Sequence, residues 1–480
     1  MNKGIYSGFG TPKTNLVSTF GANNATYSTN VLLTATSKKI QRLNMTITGL
    51  YVTLPSATSL STGIELFVFS ASNKDYSVRD SNGNLVCSVS STQAVSIYLL
   101  SNDTNNGVWC TAIQTKMSST PVLQPMAALG GGANSAVATI DDSKVLYVYQ
   151  GTSNYLSAVI ATIDGSTISF GTVLAANALA INNVSVAMLS STKAICTYRT
   201  TGTTFINAIV FDISGTTISN GSPIAITSAD GVTTSVTALT STSAICVYIG
   251  ASSYPYMMVL SISGNTVSNN TAVSMGLSSI TTNVKIKAHS STLAVAFCIS
   301  AAGAYLFIIS ISGTTPATLT SNGINGGATS GQCDLTLFND TPQGKGAVVF
   351  KLTSDNTPYC HYFTYTSSGY SSGNGTAQIS ATATVNSVAM NIQALEGTNN
   401  SAIVTYGAFS SNYLNAYIIS NPSGTILIGT GAVYTTNLIQ YNSLNIATIG
   451  KYGLSYRIIH PSYNPSTGNG LSVLDVPVGV

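Results

Sequence analysis

Charge is what this sequence has least of. Charged residues make up 6% of its 480 positions, against about a quarter in an ordinary soluble domain. Glutamate occurs at two positions, Glu65 and Glu396. The 17 Lys and Arg against 14 Asp and Glu leave a formal net charge of +3. No basic stripe accompanies it, since Lys38-Lys39 with Arg42 is a short patch suited to solvent. That balance argues against a nucleic acid or an anionic membrane as partner. The scarcity of acids also bears on chemistry. Glycoside hydrolysis normally needs two carboxylates about 5–10 Å apart, and Glu65 and Glu396 fall in different domains on the reading below. Asp141-Asp142 is the one acidic pair; it precedes a strand in a predicted turn, where a turn role outweighs a cation site. His289, His361 and His460 are scattered, and no Cys/His spacing suggests zinc. No catalytic residue, metal site or cofactor is expected. No run approaches ~18 uninterrupted apolar residues, so no membrane-spanning helix is expected. The first residues, Met1 to Gly8, have no apolar core of a signal peptide.

Apolar residues are plentiful, at 44%, with 25 Tyr and 13 Phe. Low charge with this much apolar content excludes disorder, and the abundance of β-branched and aromatic residues points to an all-β chain. The seven cysteines are an odd number. Cys196 and Cys246 hold the same place in an internal repeat, flanked by apolar residues, and read as small buried hydrophobes.

That repeat organises most of the chain. Residues 190–198 lead to a turn at Ser214-Gly215, residues 240–248 to Ser263-Gly264, and residues 142–149 to Asp164-Gly165. Further turn glycines follow at Gly313, Gly369 and Gly424. A fixed period near fifty residues marks a repeat architecture. Within one unit four short strands are expected: Ser185 to Leu189, Ala194 to Arg199, Ile206 to Ile213, and Ile218 to Ile226. One four-stranded antiparallel meander per unit is what a β-propeller blade requires. The spacing predicts about seven blades over residues 118–480, with the seventh visible only as strand patterns near Leu444, Gly453 and Leu471. The closing strand is open: Pro121 to Pro125 on one side, or the strand around Val473 on the other.

Residues 1–117 do not share the repeat and read as a separate β-sandwich-like module. Strands are expected at Leu50 to Leu54, Ile64 to Phe69, Tyr76 to Asp80, Leu85 to Cys87 and Ala94 to Leu99. Asn82-Gly83 is a strong hairpin signal. Three pieces stand out: Tyr51-Val52-Thr53-Leu54-Pro55-Ser56-Ala57-Thr58 with Gly63, Val78-Arg79-Asp80-Ser81-Asn82-Gly83, and Leu100-Ser101-Asn102-Asp103-Thr104-Asn105-Asn106-Gly107-Val108-Trp109. Together they resemble a small β module found near the N-termini of bacteriophage virion appendage proteins; Asn102 stands where that family has Asp. The resemblance covers some 70 residues. It implies a tail fibre, tail-associated protein or head fibre, located in the virion, with this module bound to other virion proteins. Fibres of that kind are trimers, although a propeller closes on itself without partners.

Aromatics recur between the second and third strands of successive units: Tyr155, Phe205, Tyr254 with Tyr256, Tyr305, Tyr359 and Tyr413. Equivalent connections of a propeller share one face, so these side chains are expected to ring it. Each could cap its own hairpin, or together they could offer a platform for sugar rings, with Ser, Thr and Asn supplying hydrogen bonds. The first expectation is therefore an appendage that presents a propeller to a host-surface glycan. The alternatives are a head fibre or decoration protein with a passive knob, and a secreted lectin-like or glycan-processing propeller.

Overall fold

A computed structural model gives the fold; it describes residues 22–114 and 129–477, apart from short segments, the longest of them 435–446. The described residues form strands, turns and three single-turn 3-10 segments. None of their helices is long and apolar enough to cross a membrane.

The N-terminal module is two sheets around one core. The first sheet orders Ala22–Tyr27, Ile40–Met45, Glu65–Ser70, Ala94–Ser101 and Val108–Gln114 side by side; the second orders Val31–Leu32, Tyr51–Thr53, Tyr76–Arg79 and Leu85–Val89. The early neighbours in each sheet run parallel. Parallel strands need a long return path. Here the chain provides it by stepping to the other sheet at each of its first five strand-to-strand passages. Leu43, Val52, Leu66, Val68, Val78, Val95 and Ile97 from both sheets fill the shared core. The three sequence pieces noted above meet at one end. The Ala57 amide donates to the Asn105 carbonyl at 2.7 Å, Ser81 Oγ donates to the same carbonyl at 2.7 Å, and Asn102 Nδ2 donates to the Leu60 carbonyl at 2.8 Å. That last bond needs an amide, which Asn102 has and an aspartate lacks. Asp80 closes the hairpin by accepting the Asn82 and Asn84 amides at 2.8 and 2.9 Å.

From residue 135 the repeat folds as successive antiparallel meanders. The first unit is Ser135–Asp141, Lys144–Gln150, Tyr155–Asp164 and Thr167–Phe170. Later units follow at 174–225, 234–274, 281–325, 329–378, 385–434 and 447–477, the last with three described strands. The long strand Leu174–Ser190 serves two units, pairing its start with the first and its end with the second. Second and third strands are buried on both faces, as their short continuous apolar runs imply; Ala194, Ile195, Cys196 and Tyr198 are all closed to solvent. The periodic glycines have a backbone reason. Gly215, Gly264 and Gly313 have φ of +62°, +57° and +60°, a region that costs glycine nothing. Ile459 and Leu471 of the last unit are buried with Val137, Tyr147 and Val159 of the first, which closes the ring. Gly468–Pro477 pairs with Ser455–Asn464, while Pro121 to Pro125 and residues 115–128 around the expected domain boundary lie outside the described residues.

Neighbouring units are joined by apolar clusters and by two recurring polar devices. The first answers an accounting problem: the innermost strand of each meander is an edge whose outward amides need acceptors. Ser185 Oγ accepts the Val236 amide at 3.1 Å, Ser235 Oγ that of Ile286 at 3.2 Å, and Asp334 Oδ2 that of Ile392 at 3.0 Å. A second rung runs from Ala288 to Thr237 and from Ala394 to Thr336. The second device is close approach. A side chain at Gly171 or Gly221 would begin 2.2 or 1.9 Å from the carbonyl of Thr216 or Asn265 in the next unit's turn.

The fourth unit breaks the ladder. Lys285 and Lys287 stand fifty residues after Ser235 and Thr237 and cannot accept an amide. Lys285 instead points its ammonium at Asp334, 4.0 Å away, with both side chains nearly closed to solvent. Burial holds the Asp334 carboxyl above its ordinary range, opposed by the two ammoniums. Between module and propeller, Lys74 pairs with Asp164 at 3.4 Å.

Candidate functional site

The aromatic positions fall where the third strand of each unit begins. Tyr155 opens Tyr155–Asp164, Tyr254 and Tyr256 flank the first residue of Pro255–Ser263, Tyr359 is the second residue of Pro358–Thr366, and Phe205 directly precedes Ile206–Ser214. Tyr305 is the third residue of Gly303–Ser312. Tyr413 lies outside the described residues. These positions divide into two kinds. Tyr155 and Tyr254 are exposed, at 36% and 37%, and Phe205 is half-buried. Tyr256 stacks on Tyr248 across its own hairpin with ring centroids 5.8 Å apart, and Tyr359 on Phe350 at 6.3 Å. Tyr305 packs against the core between the third and fourth units. The hairpin-capping alternative therefore describes Tyr256, Tyr305 and Tyr359, and display describes Tyr155 and Tyr254.

The turns behind the displayed rings are strained. Ser153 and Asn154 have φ of +62° and +64°, Ser252 and Ser253 of +63° and +62°, and Thr204 of +56°. Positive φ is uncommon outside glycine, and such residues concentrate at binding sites. In each of the first three units the strained residue immediately precedes the aromatic. The turns are locked shut: the Gly151 amide donates to the Tyr155 carbonyl at 2.8 Å, that of Gly250 to Tyr254 at 2.9 Å, and that of Thr200 to Phe205 at 3.1 Å. The rigid turn holds each ring outward without losing side-chain or loop entropy on binding. The matching stretches Gly151-Thr-Ser-Asn-Tyr155 and Gly250-Ala-Ser-Ser-Tyr254 were the sequence signal for this turn. Exposed apolar side chains accompany the rings, with Leu179 at 54% and Val232 at 45%.

The ionisable groups have other duties. Glu65 binds Lys39 at 3.2 Å and accepts the Tyr98 hydroxyl at 2.9 Å, which with the hydroxyl's contribution first hold its carboxyl low. Asp141 accepts the Ser143 amide and hydroxyl at 2.8 Å, a turn role. His361 is buried, its Nδ1 3.0 Å from Thr376 Oγ1, and burial lowers its pKa to about 4. Cys246 is buried and its thiol is pushed up to about 12 by burial, as expected of an unreactive packing residue. Among the described residues no group of three His, Cys, Asp or Glu could hold a metal ion. Glu396 lies outside the described residues.

No protein-family model matches the chain, and no curated protein matches it significantly. Solved structures do. The BP39L lectin from Burkholderia pseudomallei superposes with a TM-score of 0.53 at 10% identity, over 73% of this chain and 97% of the lectin. AofleA from Arthrobotrys oligospora gives 0.43 at 10% identity over 65% and 90%, and a 6-phosphogluconolactonase-like protein of Bacteroides fragilis gives 0.45 at 9% over 71% and 91%. At 10% identity the likeness to BP39L is one of fold, and it agrees with the β-propeller described above.

Proposed function

We propose that this chain is a bacteriophage virion protein whose propeller binds glycan on the host surface and whose N-terminal module attaches it to the particle or to a neighbouring chain. The carrying observation is the pair of exposed tyrosines, Tyr155 and Tyr254, each raised on a locked turn of strained non-glycine residues at equivalent points of the first and third units. Flat aromatic faces suit the apolar faces of sugar rings, and hydroxyl and amide side chains around them suit sugar hydroxyls. That a lectin shares the fold supports a binding role over catalysis. The N-terminal resemblance supports the virion, and through it a trimeric fibre presenting several weak sites at once, where avidity raises the strength of attachment.

The test pairs Tyr155→Ala with Tyr254→Ala in the whole protein and measures host-cell adsorption and glycan-array binding. Loss of binding with an unchanged melting temperature supports the reading; unchanged binding by a folded double variant removes it. A second reading, a head fibre or decoration protein with a passive knob, draws on the packing of Tyr256 and Tyr359 into their own hairpins. Purified protein that fails to compete with particles for host cells favours the knob.

A further inference from the structure

The seam between the second and third units carries polar groups that the fold does not use. Arg199, near the end of Lys193–Thr200, is half-buried, and its Nε is buried with no hydrogen-bond partner. Its cross-strand neighbour Asn182 has a buried Oδ1 that is likewise without a partner. Strand alternation fixes where Arg199 points. Thr197, two residues earlier, meets Thr234 of the third unit through its hydroxyl at 3.0 Å, so Arg199 faces the same unit one step nearer the aromatic end. Among the described residues no carboxylate lies within ion-pair distance of it.

The walls of this place are drawn together. The Gly231 amide donates to the Thr204 carbonyl at 2.8 Å, and a side chain at Gly231 would begin 2.4 Å from Ile206. That sets Val232 and Thr233 of the third unit beside the strained Thr204 and Phe205 of the second. Asn183, also at positive φ (+52°), spends its Oδ1 on the Thr234 amide at 2.9 Å and so pins the base of the seam. The result is an arginine Nε and an amide oxygen, both without a hydrogen-bond partner, next to an aromatic ring and an exposed valine.

Buried polar atoms are almost always satisfied, so two together ask for an occupant. A guanidinium without a carboxylate selects a planar oxyanion, which it grips through two parallel N–H bonds. The Asn182 oxygen can accept a hydrogen bond from a hydroxyl. We infer that this seam binds the carboxylate-bearing unit of an acidic sugar, with Arg199 holding the carboxylate and Asn182 a ring hydroxyl. The inference rests on the glycan-binding reading above and names the class of sugar it takes.

The experiment uses matched sugars that differ at one carbon: glucuronate against glucose and galacturonate against galactose, with N-acetylneuraminate added, titrated into the whole protein by calorimetry. The wild type is expected to bind at least one acidic sugar tenfold or more tightly than its neutral counterpart, with the preference shrinking as salt rises. Arg199→Gln is expected to abolish the preference and Arg199→Lys to restore part of it, both with the wild-type melting temperature. Equal binding of acidic and neutral sugars, or a preference that survives Arg199→Gln, overturns the inference. If neutral sugars still bind and Tyr155→Ala with Tyr254→Ala removes them, the glycan reading stands without it. Asp230, close in sequence to this seam, lies outside the described residues. A large loss of stability in Arg199→Gln matched by Asp230→Asn, with no acidic preference, would show an internal ion pair and also overturn the inference. Binding of none of the five sugars overturns it as well, and host-cell adsorption by the tyrosine variants then decides the broader reading separately.

Discussion

The first three units and the next three are built on one meander, yet they use it for opposite ends. In the first three, strained turns hold Tyr155 and Tyr254 outward, the inter-unit rungs are serine, threonine and asparagine, and Arg199 Nε has no hydrogen-bond partner among the described residues. In the fourth and fifth, Tyr305 and Tyr359 near the same strand starts pack inward, Tyr305 on the core shared with the third unit and Tyr359 on Phe350. There a rung becomes the buried trio Lys285, Lys287 and Asp334, and a histidine is sealed inside. The fourth unit even turns on a glycine, Gly303 at φ +142°, where the first and third use serine and asparagine. A repeat architecture permits this because each unit packs against its two neighbours alone. One half can carry the strained turns while the other carries the buried charges.

If that division is right, the largest loss should come from the buried trio. Asp334→Ala leaves two ammoniums without their carboxylate, and removing one partner of a buried ion pair costs about 3–5 kcal/mol. Ser235→Ala, which removes one neutral rung of the same ladder, should cost about 1 kcal/mol. Chemical denaturation of both variants checks the contrast, and equal losses would erase it.

Next in size is the effect of acid. The His361 pKa is lowered to about 4 by burial, against about 6.5 in an unfolded chain. Below the unfolded value the unfolded state takes up a proton that the folded state refuses. Stability is therefore complete above about pH 6.5 and falls as pH drops toward 4, by a total on the order of 3 kcal/mol. Melting temperature measured from pH 7 to 4 should show this decline, and His361→Gln should flatten it.

The aromatics themselves give a smaller and sharper contrast. Tyr359→Ala strips a ring stacked on Phe350 and should cost about 2–3 kcal/mol; Tyr254→Ala, on an exposed ring, should cost under about 0.5 kcal/mol. Thermal unfolding of the two variants side by side would collapse the distinction if the costs came out alike. Smallest is the strain. Ser252→Gly relieves a positive φ at some entropic cost to the unfolded chain, and should stabilise by about 0.5–1 kcal/mol. The same change should loosen the turn that presents Tyr254, so weaker glycan binding by a more stable protein is the expected pairing.

Much of this was legible in the residues. The glycine spacing marked the turns because only a residue without a side chain enters that backbone region freely, and Asn82-Gly83 marked its hairpin for the same reason. The parallel strands of the N-terminal module left no such mark, since their pairing comes from steps between layers and not from a tight local turn. The aromatic positions were legible as a set, but not their division into displayed and packed. Tyr155 and Tyr359 occupy comparable places in the repeat, and only a neighbour such as Phe350, from the strand beside, makes one of them a packing residue. Lys285 and Lys287 were visible as two lysines and nothing more. Their meaning appeared only against Ser235 and Thr237 in the preceding unit and against Asp334 in the next.

The sequence by itself determined the all-β class, the four-strand unit, its period and the separate first quarter. These follow from local rules: which residues favour strands, which turns need glycine, and how often the pattern returns. Tertiary structure alone decided that the ring closes through Ile459 and Leu471, that one acid faces two lysines, and that Arg199 faces a seam with no carboxylate within ion-pair distance among the described residues. Those outcomes depend on which residues from distant units arrive side by side, and burial then sets what each polar group must find or do without.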